Sequence, residues 1–123
     1  MNTVLIVDDS LFMRKLIRRI VENAGYQVVG EAENGIVCIE KYREYQPDIV
    51  TLDMTMQGMD GLTTLRELMN MDPHVKAVMI SSLGQESIIK SAITMGAKGF
   101  IVKPFKERHI LAVLGKVAAA DKK

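Results

Sequence analysis

Short apolar runs alternate along the chain with stretches of helical periodicity. Val4-Leu5-Ile6-Val7, Ile49-Val50-Thr51-Leu52, Ala77-Val78-Met79-Ile80 and Phe100-Ile101-Val102 read as buried strands, because they are apolar, short and rich in β-branched residues. Gln27 to Ala32 is a further strand. Gly30 and Glu31 make it more polar, so it is expected at a sheet edge.

Between the strands, apolar residues recur at helical spacing. Met13, Leu16, Ile17, Ile20, Val21 and Ala24 form one inward face, opened by Ser10 as N-cap and closed at Gly25. The opposite face carries Arg14, Lys15, Arg18 and Arg19, either as a solvated face or as a docking surface. Gly35, Cys38, Ile39 and Tyr42 mark a second helix, stopped before Pro47. Leu62, Leu65, Leu68 and Met69 mark a third, stopped at Asp72-Pro73, with Asp60-Gly61 as its turn and start. Gly84-Gln85 opens a fourth, with Ile88, Ile89, Ala92 and Ile93 inward and Gly96 as cap. Lys106-Glu107 opens a fifth, with Ile110, Val113, Leu114 and Val117 inward, and residues 118–123 are expected to fray. A βα unit repeated five times predicts an α/β fold with a parallel sheet covered on both faces.

Composition narrows the class. At 123 residues the chain is expected to be a single domain over 1–123. Sixteen basic and fifteen acidic residues nearly cancel, which argues against a nucleic-acid partner. The single cysteine, Cys38, excludes an internal disulfide and reads as a small core residue rather than a reactive thiol. Val4 to Val7 is too short for a secretory signal. No run approaches the roughly 18 apolar residues of a membrane span. The expectation is a cytoplasmic monomer without a membrane partner. Met54, Met56, Met59, Met69 and Met71 read as gap-filling core rather than as an adaptable partner surface.

The candidate chemistry stands where these runs end. Asp8-Asp9 follows the first strand, Asp53 the third, Ser81 the fourth and Lys103 the fifth. Ligands of open parallel sheets bind beyond the carboxyl ends of strands. Three carboxylates gathered there repel by roughly 4 kcal/mol per pair at 4 Å and an effective dielectric near 20. A hard cation relieves that, and Mg²⁺ suits oxygen donors. Asp9 and Asp53 are the expected direct ligands, Asp8 acts through water, and the Thr55 backbone carbonyl completes the set. A carboxylate beside Mg²⁺ can attack phosphorus to form an aspartyl phosphate. Lys103, the Ser81 hydroxyl and the N–H groups after Asp53 would neutralise the transferred group. A cis Lys103-Pro104 bond is one way to aim that lysine into the pocket. Each residue alone has a plainer reading as a turn, cap or solvated residue; their joint placement carries the argument.

The motifs V-D-D-S (7–10), L-D-M-T-M (52–56), M-D-G (59–61), Ser81 and V-K-P-F (102–105) resemble the receiver domain of two-component response regulators. Within that family, D-D-S-L-F-M-R (8–14) and S-S-L-G-Q (81–85) are most similar to stand-alone chemotaxis regulators of the type found outside the enteric bacteria. The resemblance implies a flavodoxin-like (βα)5 fold, five parallel strands in order 2-1-3-4-5. It implies that Asp53 accepts a phosphoryl group from a sensor histidine kinase. Asp8 and Asp9 would bind Mg²⁺, Ser81 and Lys103 would contact the phosphoryl group, and Phe100 would be the aromatic switch. The implied output is the face of the fourth helix, fifth strand and fifth helix. Its implied target is a flagellar motor switch protein, with a phosphatase as a further candidate partner.

Three departures stand out. Phe100 replaces a common tyrosine and offers no ring hydroxyl. Gln57 replaces a common proline, so the loop after Asp53 is expected to be looser. Gly84 adds backbone freedom near the fourth helix. The side chains of Thr55 and Leu83 flank the phosphoryl site by family pattern. The chain is thus expected to be a signalling switch and not an enzyme. Alternatives are a receiver in another phosphorelay, a flavodoxin, and an Asp-nucleophile phosphatase. The flavodoxin reading is opposed by Asp8-Asp9, which would repel a flavin phosphate. The phosphatase reading wants a carboxylate where Thr55 stands.

Overall fold

The structure is a computed structural model that describes residues 2–56 and 58–120. Gln57, and with it the expectation of a looser loop, lies outside the described residues, as do residues 121–123. The elements alternate as β1 (Thr3–Val7), α1 (Leu11–Asn23), β2 (Gln27–Ala32), α2 (Gly35–Tyr45), β3 (Ile49–Asp53), α3 (Gly61–Met71), β4 (Ala77–Ser81), α4 (Glu86–Met95), β5 (Gly99–Val102) and α5 (Glu107–Ala119). All pairings are parallel and the strand order is β2-β1-β3-β4-β5. The polar strand β2 is indeed an edge.

Successive side chains of a strand point to opposite faces. Val4 and Ile6 therefore pack with Ile17 and Ile20 of α1 and Ile110 and Leu114 of α5. Leu5 and Val7 pack on the other side with Cys38 of α2, Leu65 and Leu68 of α3 and Ala92 of α4. Each fully buried Val, Leu or Ile among them contributes about 1.5–3 kcal/mol. The strands read as continuous apolar runs because both faces are covered.

Local chemistry sets the helix ends. Ser10, Asn34 and Asp60 each accept an N–H from the third residue of the following helix, at 3.2, 2.8 and 2.8 Å. Gly25 takes φ +98° just past α1, and Gln46 ends α2 in the left-handed region at φ 46°. Among the described residues no helix is long and apolar enough to cross a membrane.

Four readings are corrected. Ile93 is 46% exposed, because α4 turns Ile88, Ala92 and Met95 inward, a stripe that leaves Ile93 outside. Ala24 is exposed because it is the C-cap, where the chain leaves the sheet. Ala118 belongs to α5 and packs on the α1–α5 cluster rather than fraying. The basic face of α1 is only partly solvated: Arg14, Lys15 and Arg18 converge on Glu31, while Arg19 is exposed. The core-filling reading holds for Met54, Met56 and Met69, while Met71 is exposed. Cys38 is fully buried, which pushes its thiol up to about 12, the state of an inert core residue.

Candidate functional site

Register brings the strand ends together. Val7 lies opposite Leu52, Asp53 opposite Ile80, and Ser81 opposite Val102. The residues that follow or end these strands therefore share one rim of the sheet. One carboxylate oxygen from each of Asp8, Asp9 and Asp53 lies within 4.8 Å of the other two. Asp8 and Asp53 are 1% and 2% exposed, whereas Asp9 faces solvent.

Each buried carboxylate is anchored. Asp8 Oδ1 accepts the Ser10 N–H at 2.9 Å. Lys103 Nζ donates to Asp8 Oδ2 at 3.2 Å and to Asp53 Oδ1 at 3.5 Å. The Thr55 N–H reaches Asp53 Oδ1 at 3.4 Å. The Lys103-Pro104 peptide is cis. The Asp9 carboxylate takes no protein hydrogen bond among the described residues.

Asp53 is held above the ordinary carboxylate range. Burial is the main cause and the neighbouring Asp8 charge adds to it. The Lys103 ammonium and the Thr55 N–H oppose the shift without cancelling it. One ammonium among three carboxylates leaves negative charge uncompensated at the rim. An all-oxygen donor set with an unpartnered member suits a hard cation such as Mg²⁺. The residues present therefore fit the implied metal.

The other expected residues sit nearby with different partners. Ser81 is fully buried, and its Oγ accepts the Leu83 N–H at 2.9 Å rather than contacting the acidic cluster. Phe100 is half-buried on β5 opposite Met79 and packs toward the α2–α4 side. Asp9, Thr55, Met56, Leu83 and Ile88 border a cavity of about 560 Å³ beside the cluster. A cavity of about 280 Å³ at the opposite end of the sheet, lined by Tyr42, Asp48, Asp72 and His74, includes none of these residues.

Two features escaped sequence reasoning. Gly61 packs against the end of β3: a Cβ there would collide with the Asp53 carbonyl oxygen and with Met54 Cα. M-D-G was the available signal, but only as a turn. Arg14 donates through Nη1 to the Asp8 carbonyl at 2.7 Å and through Nε to Glu31 at 3.0 Å. No spacing rule joins a helix residue to a strand residue in this way.

Comparison with known proteins agrees with this geometry. The family model described as the response regulator receiver domain matches residues 4–115. The chemotaxis protein CheY of Listeria monocytogenes is 50% identical over 118 residues, covering 96% of this chain and 99% of the relative. CheY of Thermotoga maritima is 48% identical over 115 residues, covering 94% and 96%. A crystal structure of a CheX–CheY–BeF3 complex with Mg²⁺ from Borrelia burgdorferi superposes with a TM-score of 0.94 at 39% identity, covering 97% of this chain and 90% of that one. The matched span, the strand order and the acidic rim all point the same way: the chain belongs to the response regulator receiver domain family and is closely similar to chemotaxis regulators of the CheY type.

Proposed function

We propose that this protein is a phospho-accepting chemotaxis regulator whose nucleophile is Asp53. The observation that carries the reading is the placement of the Lys103 ammonium against both Asp8 and Asp53, beside a third carboxylate. A carboxylate oxygen of Asp53 attacks the phosphorus of a sensor-kinase phosphohistidine. The P–N bond breaks, the imidazole nitrogen leaves with the electron pair, and an acyl phosphate forms.

Mg²⁺ would be held by Asp9 and Asp53, by Asp8 through water and by the Thr55 carbonyl. When bound it neutralises charge on the phosphoryl oxygens. Lys103, 3.5 Å from an Asp53 carboxylate oxygen, stabilises the same charge, and the Thr55 N–H orients Asp53. Burial excludes bulk water from Asp53 while Asp9 remains open to solvent.

Phosphorylation is read out through Ser81 and Phe100. Moving the Ser81 hydroxyl to the phosphoryl group gives up its bond to the Leu83 N–H and frees space into which the half-buried Phe100 ring turns. That shifts the population of the α4–β5–α5 face between two states. The target on that face is a flagellar motor switch protein, and a phosphatase resets the switch. The protein works in the cytoplasm as a switch, with no turnover chemistry beyond its own phosphorylation and dephosphorylation.

Incubation with a radiolabelled phosphohistidine domain of a chemotaxis kinase tests this. Label should pass to the wild-type chain in the presence of Mg²⁺ and not to Asp53→Asn. Label retained by the Asn variant would assign the chemistry to another residue.

A further inference from the structure

Among the described residues Asp9 is the one member of the acidic cluster with no direct anchor on its carboxylate, yet the cation site described above requires it to stand in a fixed place. The anchoring is one residue upstream. The Asp8 N–H donates to the Ala32 carbonyl at 3.0 Å, continuing the β1–β2 ladder by one residue. The Asp8 carboxylate accepts from Ser10, and the Asp8 carbonyl accepts from Arg14 Nη1 at 2.7 Å. The peptide joining Asp8 to Asp9 is planar, so fixing the Asp8 carbonyl also fixes the Asp9 N–H and Cα.

Arg14 is itself held. Its Nε donates to Glu31 Oε1 at 3.0 Å, and both side chains are largely shielded, at 14% and 15% exposure. Lys15 and Arg18 hold the other Glu31 oxygen at 3.1 and 3.3 Å. The Glu31 backbone carbonyl accepts Lys41 Nζ at 2.7 Å. Burial alone would raise the Glu31 carboxyl, but hydrogen bonds from Lys15 and Arg14 and the charges of Lys15 and Arg18 keep it below its ordinary value. A guanidinium fork is suited to serving a carboxylate and a carbonyl at once, which a single ammonium is not.

The geometry points to Arg14 as a positioning residue for the cation site: anchored on Glu31, it clamps the Asp8 carbonyl and so fixes the peptide plane from which Asp9 projects. Arg14 does this although its charge opposes a cation nearby. The two roles therefore carry opposite signs. Removing a positive charge beside a cation site strengthens cation binding by Coulomb's law. Removing a clamp that orients a ligand weakens it, typically 10–100-fold in metal sites.

The inference rests on the Mg²⁺ reading above, and one titration separates the two. Mg²⁺ chloride is titrated into the full chain, followed by calorimetry and by the amide NMR shifts of Asp9 and Asp53. The wild type should bind. Arg14→Met should raise the dissociation constant about tenfold. Arg14→Lys keeps the charge and loses the fork, so it should also weaken binding, and it serves as the second variant if Arg14→Met fails to fold. Lys15→Met removes a partner of the same Glu31 without touching Asp8, and should leave the constant within about twofold. Unchanged or tighter binding by folded Arg14→Met, or equal losses in Arg14→Met and Lys15→Met, would overturn the positioning role alone. A wild-type chain that binds no Mg²⁺ would overturn the cation site and the inference with it.

Discussion

The Lys103 ammonium stands 3.5 Å from an Asp53 carboxylate oxygen, across 50 residues of chain. β5 and β3 are not neighbours in the sheet; β4 lies between them. The contact therefore comes from a long side chain reaching across the rim, not from strand pairing. It is the feature that makes a buried, raised carboxylate tolerable at this place.

Lys103→Met should raise the Asp53 pKa further, since the ammonium is the largest influence holding it down. It should also lower stability at neutral pH by on the order of 1–3 kcal/mol, because two buried carboxylates lose their cation. Carbonyl-labelled NMR titration without divalent metal checks the first point and urea unfolding the second. An Asp53 titration unmoved by the substitution would refute the coupling.

Asp53→Asn should stabilise the metal-free protein at pH 7. The folded chain holds Asp53 above its ordinary value of 3.8, so at pH values between the unfolded and folded pKa the native state binds more protons than the unfolded one. Stability from this group is fully present below the unfolded value and is lost as pH rises through the folded one. The Asn variant should therefore be the more stable at neutral pH and lose that advantage below the ordinary carboxylate range. Thermal midpoints measured across pH give the result directly. A variant less stable than wild type at pH 7 would contradict it.

Gly61→Ala should cost about 1–3 kcal/mol, the range for overpacking. The atoms in the way are backbone atoms of Asp53 and Met54, which cannot rotate aside. The loop carrying Thr55 should shift as well, visible as changed amide shifts at Asp53 and Thr55. A neutral substitution would show that α3 can slide away from β3.

The strands and the residues at their ends are legible in the chain because a sheet buried on both faces demands uninterrupted apolar runs. A charged residue can appear only where such a run reaches the rim, as at Asp8, Asp53 and Lys103. The order in which strands lie side by side is not legible from periodicity, and the resemblance supplied it. The clamp on Glu31 was invisible for a different reason. Arg14 and Arg18 are 17 and 13 residues from Glu31 and meet it only through the angle at which α1 crosses β2. Ile93 was misplaced because four apolar residues in α4 fit two neighbouring stripes, and only packing decides which turns inward.

Thr51 is fully buried on β3, and its hydroxyl has no partner among the described residues. Thr51→Val keeps the shape and removes the unsatisfied group, so it should stabilise the chain by up to about 1–2 kcal/mol. Urea unfolding measures this. Destabilisation would mean that the hydroxyl is satisfied in solution, as by a buried water.

The most direct test of the phosphoacceptor is the intact mass after mixing with acetyl phosphate, with and without Mg²⁺. The expected result is a gain of one phosphoryl group that requires Mg²⁺, is lost in base as an acyl phosphate must be, and is absent in Asp53→Asn. No gain under any condition, or a base-stable gain that persists in Asp53→Asn, would contradict the assignment of Asp53 as the nucleophile.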